Sequence, residues 1–551
     1  MATNDMTAPA RMLLKEIFGY SEFRGRQAEI IDHVVNGGHC LVLMPTGGGK
    51  SLCYQIPALL RNGIGIVISP LIALMENQVA ALHKQGVRAA YLNSALVPEA
   101  AAAVERKMLA GEYDLVYVAP ERLLTARFHA LLQRIPIALF AIDEAHCVSQ
   151  WGHDFRPEYG KLSVLPEKFP QVPRIALTAS ADARTRADIL RCLDLREARA
   201  FISSFDRPNL CYRITARSNS RMQLLNFIRS QHAGESGIVY CQSRKKAEDT
   251  AAWLNLHSIP ALAYHAGMET AVRTLHQKKF LLEKSTVMVA TSAFGLGIDK
   301  PDIRFVAHLD LPKSIESYYQ ETGRAGRDGL PANAWMVYGP GDIIRLRSQA
   351  GTEQIPAPIR QAAAARLEAL LALCETTDCR RKPLLGYFGE STGNQPCGNC
   401  DTCLETIPVR DATIAAQKAL SCVYRTGQCF GTEYLIDILT GKQTDRIRQW
   451  QHDRISTFGI GQELSTEGWR IIFRHLLALG YLNAGEDRAG GERITLQLTP
   501  AARNVLRAET RITIRLLPRH QTPYPENSAS LPTSLAPDAC ESELNNNLLA
   551  T

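Results

Sequence analysis

Short apolar runs alternate with helix-like stretches from about residue 11 to residue 338. In the first half the runs lie at 40–44, 64–68, 115–118, 138–142 and 175–177, and in the second half at 237–240, 287–290 and 305–308. Nearly continuous apolar strands separated by helices are typical of parallel sheets that helices cover on both faces. The pattern therefore predicts two α/β lobes, which meet near residues 203–209, where an Arg-Pro pair is typical of a linker.

The pattern changes after residue 339. An Ala- and Leu-rich helix is predicted at 359–375, a cysteine cluster follows at 379–403, and the next stretch predicts helices with a Gly-rich hairpin at 485–491. Beyond Pro518 the chain is rich in Pro, Ser, Asn and Thr without periodicity, which predicts disorder. We therefore predict five segments: a first lobe at 1–205, a second lobe at 206–340, a cysteine-bearing module at 341–407, a basic helical domain at 408–517 and a disordered tail at 518–551.

The composition restricts the class of protein without identifying it. A chain of 551 residues, 46% of them hydrophobic, has material for three or four domains. Residues 408–517 carry 15 Lys and Arg against 11 Asp and Glu, a balance that suits a phosphate backbone and equally a solvated basic surface. The first ten residues lack a basic start and a long apolar core, and no apolar run approaches the roughly 18 residues of a membrane span. We expect a cytoplasmic protein with no membrane partner, whose 14 cysteines are reduced or bind metal.

The first candidate for chemistry is a Gly-rich turn between a strand and a helix. The segment 45–51 reads Pro-Thr-Gly-Gly-Gly-Lys-Ser, so Thr46, Gly47, Gly48 and Gly49 can wrap an anion with backbone N–H groups. Lys50 can reach the β- and γ-phosphates of a nucleotide, and the Ser51 hydroxyl can hold Mg²⁺. Met44 stands where the strict phosphate-loop pattern has glycine, and a purely structural glycine turn is the alternative.

Two further motifs suit nucleotide hydrolysis. Asp143-Glu-Ala-His146 ends a predicted strand, so Asp143 can bind Mg²⁺ through water while Glu144 activates the attacking water; His146 completes the motif. In the second lobe, Gln320 opens a segment that contains Arg324 and Arg327. If the nucleotide lies between the lobes, these arginines supply positive charge to the transferring phosphoryl group. Each motif alone has a bland alternative, a solvated acidic loop or a surface helix with ion-paired arginines.

Four cysteines have the spacing of a structural zinc site. Cys397, Cys400 and Cys403 form a tight run, and Cys379 lies 18 residues upstream. Four thiolates complete a tetrahedral Zn²⁺ and leave no open position, so the ion should serve folding. Free core cysteines are the alternative, and Cys374 is a second candidate for the upstream ligand.

In this order the segments 45–51, 143–146, 176–180 and 320–327 resemble the motifs of superfamily 2 helicases. Three features narrow the resemblance to the RecQ family, most like its bacterial members, over about residues 11–516. They are the segment 18–27, the aromatic-rich segment 149–156, and the zinc cluster with the winged-helix-like unit that follows it. The resemblance implies two RecA-like parallel-sheet lobes, a helical zinc-binding module and a winged-helix domain. It favours Cys379 as the fourth zinc ligand. Two departures are Ser180 in place of threonine and a tail after Pro518 too short for the C-terminal HRDC domain of many relatives.

The resemblance also implies roles for particular residues. Tyr20 would stack on adenine, and Arg24 and Gln27 would hydrogen-bond it, which implies ATP as the nucleotide. Single-stranded DNA would stack on Trp151 or Phe155 and meet His153 and Arg156, with core packing of the aromatic rings as the alternative. In the winged helix, 467–479 would be the recognition helix and 481–498 the wing. Candidate phosphate contacts there are Arg425, Arg446, Arg448, Arg454 and Arg474, although each alone is more often an ordinary surface arginine.

The leading interpretation is an ATP-dependent helicase that moves 3′ to 5′ on single-stranded DNA and unwinds duplex or branched DNA in recombination, repair, replication and the SOS response. The resemblance further implies a single-stranded-DNA-binding protein and a topoisomerase as partners, and association with the nucleoid. One alternative is a DEAH-type RNA helicase. The other is a winged-helix DNA-binding regulator without enzymatic activity, which would have degraded ATPase motifs.

Overall fold

The computed structural model describes residues 7–150, 154–295, 300–350, 356–393, 395–405, 409–485 and 495–515. Trp151, His153, the tip of the predicted wing and the predicted disordered tail lie outside these ranges. Within the ranges the two-lobe α/β fold predicted above is confirmed, followed by a helical module and a winged-helix domain.

The first lobe is built on a seven-stranded sheet in which every pair of neighbouring strands is parallel. Its strand order is β3-β4-β2-β5-β6-β1-β7. The strands are β1 (Cys40–Leu43), β2 (Ile64–Ile68), β3 (Ala89–Leu92), β4 (Leu115–Val118), β5 (Ile137–Ile142), β6 (Arg174–Thr178) and β7 (Arg199–Ile202). The helices are α1 (Thr7–Glu16), α2 (Gln27–Val35), α3 (Leu52–Leu60), α4 (Ile72–Lys84), α5 (Pro98–Leu109), α6 (Pro120–Leu123), α7 (Ala126–Leu132), α8 (Pro157–Gly160), α9 (Val164–Lys168) and α10 (Ala183–Cys192).

The second lobe has a six-stranded parallel sheet, ordered β10-β11-β9-β12-β13-β8. Its strands are β8 (Leu210–Ala216), β9 (Gly237–Tyr240), β10 (Ala261–Tyr264), β11 (Val287–Ala290), β12 (Phe305–His308) and β13 (Ala332–Tyr338). Its helices are α11 (Ser220–Gln231), α12 (Arg244–Leu256), α13 (Thr270–Leu282), α14 (Ile315–Thr322) and α15 (Pro340–Ala350). In both sheets the central strands are buried along nearly their whole length, which accounts for their continuous apolar runs.

The chain then forms a helical module that carries the cysteine cluster. Its helices are α16 (Ala357–Glu375), α17 (Arg381–Tyr387) and α18 (Asp401–Leu404). The last domain contains β14 (Val409–Asp411), α19 (Thr413–Arg425), α20 (Thr432–Thr440), α21 (Asp445–Gln449), α22 (Thr466–Ala478), β15 (Leu482–Gly485), β16 (Thr495–Leu498), α23 (Ala502–Leu506) and β17 (Thr513–Arg515). Strands β15 and β16 pair antiparallel after α22, so the predicted recognition helix and the base of the wing lie where a winged helix has them.

None of the helices within the described ranges has the length and apolarity that a bilayer-spanning segment requires.

Candidate ATPase, zinc and DNA sites

A cleft of about 760 Å³ separates the two lobes and collects most of the residues predicted to handle ATP. Its volume lies within the range of roughly 300–1,000 Å³ that small-molecule sites occupy. The first lobe contributes the predicted lining residues Tyr20, Arg24, Gln27, Thr46, Gly47, Gly49, Lys50, Ser51, Asp143 and Glu144. The second lobe contributes Gln320, Arg324 and Arg327. Arg324 and Arg327 are expected to act on a nucleotide only if it lies between the lobes. The cleft lies between the lobes, and both arginines line it.

The phosphate loop (residues 45–51) leads from the end of β1 into α3. Gly47 and Gly49 have φ angles of +81° and +78°, a backbone region that residues with a side chain rarely adopt. A Cβ on Gly49 would also clash with the side-chain amide of Gln27, so this amide would have to leave its hydrogen bonds to the loop carbonyls to admit one. The two glycines therefore let the loop curl tightly at the start of α3, where an anion meets the positive end of the helix.

Lys50 is held at the mouth of this loop. Its Nζ donates to the carbonyls of Met44 at 3.2 Å and Pro45 at 3.4 Å. Burial lowers the pKa of Lys50, while the nearby carboxylates of Glu144 and Asp143 act in the opposite direction. This partly buried ammonium, whose hydrogen bonds go to backbone carbonyls among the residues that the structure describes, is well placed to exchange them for phosphate oxygens.

Asp143 and Glu144 follow the end of β5, next to the phosphate loop. Burial raises the pKa of Asp143, and the charge of Lys50 opposes this rise. Burial, followed by the charge of Asp143, raises the pKa of Glu144 to about 7. Glu144 has a φ angle of +48°, a strained conformation for a non-glycine residue that is frequent at functional sites. A general base with a pKa near the working pH is efficient, so this position suits a carboxylate that activates water.

A hydrogen-bond path connects the acidic motif to the other lobe. His146 Nδ1 lies 3.3 Å from Glu144 Oε2 and 2.9 Å from Thr178 Oγ1. The backbone N–H of Ser180 donates to the same threonine oxygen at 3.3 Å. Across the cleft, Gln320 Nε2 donates to the Ser180 hydroxyl at 2.7 Å. Movement of the second lobe can therefore reach His146, whose ring lies against Glu144. Ser180 supplies the hydroxyl at the position where many relatives are expected to have threonine.

The arginine motif (residues 320–327) begins near the end of α14 and faces the phosphate loop. The side chain of Arg327 packs over this loop, because its Cγ lies 3.1 Å from where a Cβ on Gly47 would be. Arg324 is buried, and its positive charge opposes the rise in the pKa of Glu144. Both guanidinium groups thus lie close enough to influence the charged groups of the first lobe.

The predicted adenine-reading residues lie beside the phosphate loop. Tyr20 is half exposed, which leaves a ring face free for stacking. Gln27 is buried, its Oε1 accepts from the Arg24 backbone N–H at 2.8 Å, and its Nε2 donates to the carbonyls of Gly48 at 3.3 Å and Gly49 at 3.0 Å. Both the oxygen and the nitrogen of the Gln27 amide are therefore hydrogen-bonded to the backbone in this structure. To hydrogen-bond adenine, Gln27 would have to give up at least one of these bonds.

The four predicted zinc ligands meet in the helical module. The Sγ atoms of Cys379, Cys397, Cys400 and Cys403 all lie within 4.8 Å of one another, and those of Cys397 and Cys403 are 3.8 Å apart. Tetrahedral Zn–S bonds of about 2.3 Å place sulfurs about 3.8 Å apart, so the donor set fits the ion. Arg381 Nη1 and the Asn399 backbone N–H point at the Cys397 sulfur at 3.0 and 3.4 Å, as expected around a thiolate. Cys374 is buried in α16 and does not belong to this group of sulfurs.

Of the aromatic-rich segment (residues 149–156), the structure describes residues 149–150 and 154–156. Phe155 is 39% exposed, so its ring is available to a base. Arg156 is held in place: its Nη1 donates to the Pro70 carbonyl at 2.9 Å and its Nη2 lies 3.5 Å from Asp154. The Arg156 backbone N–H donates to the Cys147 carbonyl at 3.0 Å, directly after the acidic motif. The backbone of Arg156 is therefore hydrogen-bonded to the residue that follows the acidic motif, and its side chain is hydrogen-bonded to the loop after β2.

The predicted phosphate contacts of the winged-helix domain differ in accessibility. Arg425 and Arg454 are exposed, and Arg448 is exposed while donating to Gln443 at 3.0 Å. Arg446 is half-buried, with its guanidinium 5.0 Å from the centre of the Tyr434 ring. These four side chains are all compatible with a phosphate backbone at the surface.

Arg474 is different, and the prediction of a phosphate contact there is wrong. Its Nε lies 2.9 Å from Glu375 Oε1, and its guanidinium is 4.8 Å from the centre of the Tyr338 ring. His475 Nδ1 and the Tyr338 hydroxyl also contact the Glu375 carboxylate. Arg474 therefore joins α22 to α16 and β13 in the interior. The sequence pattern could not reveal this, because the partner lies 99 residues away.

Four family models match the chain in sequence order: "DEAD/DEAH box helicase" at 24–189, "Helicase conserved C-terminal domain" at 219–329, "RecQ zinc-binding" at 340–404 and "RQC domain" at 406–523. The chain is 47% identical to an ATP-dependent DNA helicase RecQ of Haemophilus influenzae over 500 residues, which cover 91% of this chain and 80% of that protein. It is 38% identical to the RecQ of Bacillus subtilis over 502 residues, which cover 91% of this chain and 84% of that protein. The chain belongs to the RecQ family.

Solved structures agree with this family fold at a greater distance. The helicase MrfA bound to DNA has a TM-score of 0.51 and 16% identity, covering 67% of this chain and 57% of that one. Mss116p bound to single-stranded RNA and AMP-PNP has a TM-score of 0.51 and 17% identity, covering 67% of this chain and 80% of that one. At such identities the likeness supports the two-lobe fold alone.

The correction at Arg474 leads to a prediction about stability in this RecQ-family chain. Burial raises the pKa of Glu375, but Arg474 and His475 outweigh it and hold that pKa well below its ordinary value of 4.5. The ionised pair is thus present at neutral pH, and its contribution is lost only as the pH falls below 4.5. Arg474→Ala should cost about 3–5 kcal/mol, because it leaves a buried carboxylate without its main partner. Thermal unfolding near pH 7 would measure the loss.

Arg470 on the same helix provides the matched control. It is a partly exposed arginine whose partners, Glu433 and Glu467, are carboxylates at the surface. Arg470→Ala should cost less than about 1 kcal/mol, as surface ion pairs usually do. Equal melting temperatures for the two variants, together with a large loss of DNA affinity in Arg474→Ala alone, would restore Arg474 as a DNA contact.

Proposed function

We propose that this chain uses ATP hydrolysis to move 3′ to 5′ along single-stranded DNA and to separate duplex or branched DNA during recombination and repair. The observation that carries the proposal is the cleft in which the phosphate loop of one lobe faces the arginine motif of the other. Two lobes that share one nucleotide convert its binding and loss into closing and opening, which is the stroke that a motor requires.

The residues of the cleft have distinct tasks in this proposal. Lys50 and the N–H groups of the phosphate loop hold the phosphates, while Ser51 and Asp143 would hold Mg²⁺, which neutralises phosphate charge. Glu144 takes the proton of the attacking water. Arg324 and Arg327 stabilise negative charge as the γ-phosphoryl group leaves. Gln320 and His146 transmit lobe closure to this centre through Thr178 and Ser180.

ATP should be preferred over other nucleotides, because the segment around Tyr20, Arg24 and Gln27 lies at the edge of the phosphate loop. On the DNA side, Trp151, His153 and Phe155 would receive unstacked bases of the single strand. Arg425, Arg446, Arg448 and Arg454 would hold the duplex by its backbone, without reading sequence. The intact residues Lys50, Asp143, Glu144 and Arg327 argue against a DNA-binding regulator that lacks ATPase activity.

The experiment that tests this function compares nucleic acids in one assay. ATP turnover should be measured with single-stranded DNA, duplex DNA and RNA of the same sequence, alongside unwinding of forked DNA and forked RNA that carry 3′ or 5′ tails. We expect single-stranded DNA to stimulate most strongly and 3′-tailed DNA forks to open. Stimulation by RNA equal to that by DNA would favour the RNA helicase instead, and unwinding of only 5′-tailed forks would refute the polarity.

A separate prediction concerns how DNA reaches the ATP site. Arg156→Ala should keep basal ATPase and most DNA affinity, since many phosphate contacts share the latter. The stimulation of ATPase by single-stranded DNA should be lost, because the segment that follows the acidic motif would lack the arginine proposed to contact a DNA phosphate. Trp151→Ala should behave alike, since stacking is worth about 1–3 kcal/mol per base. The measurement is ATPase rate against single-stranded DNA concentration, taken to saturation.

Arg88 offers a control for this test. It is an exposed arginine of the first lobe, paired with Asp114 at the opposite edge of the sheet from β1. Arg88→Ala should be stimulated like the wild type. If Arg156→Ala and Trp151→Ala are stimulated normally as well, the segment has no coupling role and its aromatic rings serve packing.

Partners and location follow from the same proposal. A motor on single-stranded DNA meets the protein that coats such strands, and the separated or recombined strands it leaves require a topoisomerase. We therefore propose a single-stranded-DNA-binding protein and a topoisomerase as partners, in the cytoplasm at the nucleoid. Cross-linking in growing cells, followed by identification of the captured proteins, would test this, and recovery of neither class would contradict it.

A further inference from the structure

The segment between the two lobes, called here the linker (residues 203–209), is held by the zinc-binding module. Glu390 accepts hydrogen bonds from the Ser204 hydroxyl at 2.6 Å and the Phe205 backbone N–H at 2.7 Å. Phe388 stacks on Phe205 with ring centres 4.6 Å apart and planes 10° apart. These contacts hold the segment, which the Arg-Pro pair predicts simply as a linker, in one defined conformation.

One arginine of the zinc-binding module fixes the path of the linker backbone. Arg381 Nη2 donates to the carbonyl of Arg207 at 2.9 Å and to that of Leu210 at 2.8 Å. Its Nε bonds Asp206 at 2.7 Å, and its Nη1 reaches the sulfur of the zinc ligand Cys397 at 3.0 Å. The backbone of Arg207 is thus tied to the metal centre through a single guanidinium.

The side chain of Arg207 points the other way, between the lobes. Its Nη1 donates to the Thr46 carbonyl in the phosphate loop at 3.1 Å and to the Gly323 carbonyl in the arginine motif at 3.1 Å. Its Nη2 donates to the carbonyls of Ala325 and Gly326, both at 3.0 Å. Gly323 and Ala325 flank Arg324, and Gly326 immediately precedes Arg327.

The chemistry of this contact suits positioning. A guanidinium is a planar fork of five donors with fixed directions, so it can satisfy carbonyls from two loops at once and hold them in one relative arrangement. Arg207 fills that role here, because its backbone is itself anchored by Arg381. Displacement of a catalytic group by about 1 Å can cost roughly 100-fold in rate, so the register of the two loops matters.

We propose that Arg207 is a positioning residue for ATP hydrolysis, which sets the register between the phosphate loop and the arginine motif. Through that register it brings Arg324 and Arg327 to the γ-phosphate when the cleft closes. The inference rests on the proposed roles of these two arginines and adds a residue that lies outside all the sequence motifs. It also gives the zinc-binding module a mechanical connection to the ATP site.

The test measures ATP turnover at saturating single-stranded DNA for Arg207→Ala and Arg207→Lys. We expect kcat to fall about 10- to 100-fold in both, with KM for ATP within about threefold of wild type, because only alignment in the transition state is lost. Lysine keeps the charge but not the fork, so it should not rescue. Arg61 is the matched control: its guanidinium also bonds backbone carbonyls, those of Val35 and Ala138, but within the first lobe alone. Arg61→Ala should keep kcat within about threefold.

A double-variant comparison separates positioning from general damage. If Arg207 acts through Arg327, Arg207→Ala should slow an Arg327→Ala enzyme by much less than it slows the wild type. Arg61→Ala should reduce both backgrounds by the same factor. Wild-type kcat in Arg207→Ala, full rescue by lysine, or equal factors in both backgrounds would each overturn the proposal. Wild-type turnover in Arg327→Ala itself would instead refute the role given to Arg327 in the proposed function.

Discussion

Replacing Lys50 with alanine is expected to reduce ATP turnover by at least about 10²–10³-fold, the loss typical of removing one group that stabilises developing charge. The effect should be this large because the Lys50 ammonium lies at the mouth of the phosphate loop, where its bonds to Met44 and Pro45 can pass to phosphate oxygens. DNA affinity should stay near the wild-type value, since the DNA contacts proposed above lie outside the phosphate loop. Steady-state ATPase and DNA binding by fluorescence anisotropy measure the two quantities.

Two further variants make this result specific. Lys84 lines the same cleft from the end of α4, so Lys84→Ala removes an equal charge without touching the phosphate loop and should keep most of the turnover. Glu144→Gln should still bind ATP but hydrolyse it very slowly, because the amide cannot accept the proton of the attacking water. Substantial turnover in both Lys50→Ala and Glu144→Gln would contradict the assignment of the site.

Loss of the zinc site should have the second large effect. Cys400→Ser is expected to lower the zinc content from about one ion per chain to near none and to reduce the yield of folded protein, since structural zinc contributes on the order of 10 kcal/mol to folding in small modules. The loss of structure should extend beyond the zinc-binding module, because Arg381 hydrogen-bonds both the Cys397 sulfur and the linker backbone. Elemental analysis and thermal unfolding measure both consequences.

The chain contains its own control for this prediction. Cys429 is a partly exposed cysteine of the winged-helix domain, outside the group of four sulfurs. Cys429→Ser should retain the zinc and the melting temperature of the wild type. A metal-free wild-type protein from a zinc-replete preparation, or full zinc occupancy in Cys400→Ser, would rule out the site as assigned.

The apolar pattern predicted the central strands better than the edge strands. Those it predicted in the first lobe are inner strands, buried on both faces and therefore nearly continuous in apolar residues. In the two lobes it missed five strands, and four of them, β3, β7, β8 and β10, lie at the edges of their sheets. In β7 only Phe201 is buried, so the run Arg199–Ile202 carries no clear apolar signal. An edge strand is recognised by its hydrogen bonds to the neighbouring strand. The apolar pattern along the chain carries no information about that pairing.

The sequence by itself determined the chemistry of this protein and the spacing of its parts. Gly47, Gly49 and Lys50 predict a phosphate loop because their conformation and charge are local properties of a short segment. The run Cys397, Cys400 and Cys403 likewise predicts zinc, because its spacing alone brings three sulfurs near one ion.

Only the tertiary structure decided which distant groups meet. Arg474 and the exposed Arg425 are both arginines of the same basic domain, yet one is enclosed against Glu375 and the other faces solvent. Arg207, which sequence analysis placed in a plain linker, donates to Thr46 and to the loop at 323–326, more than a hundred residues away in either direction. Hydrogen bonds depend on separation in space and on burial, and neither is encoded in the residue type, so the role of a charged side chain is settled by the packing of the lobes and modules around it.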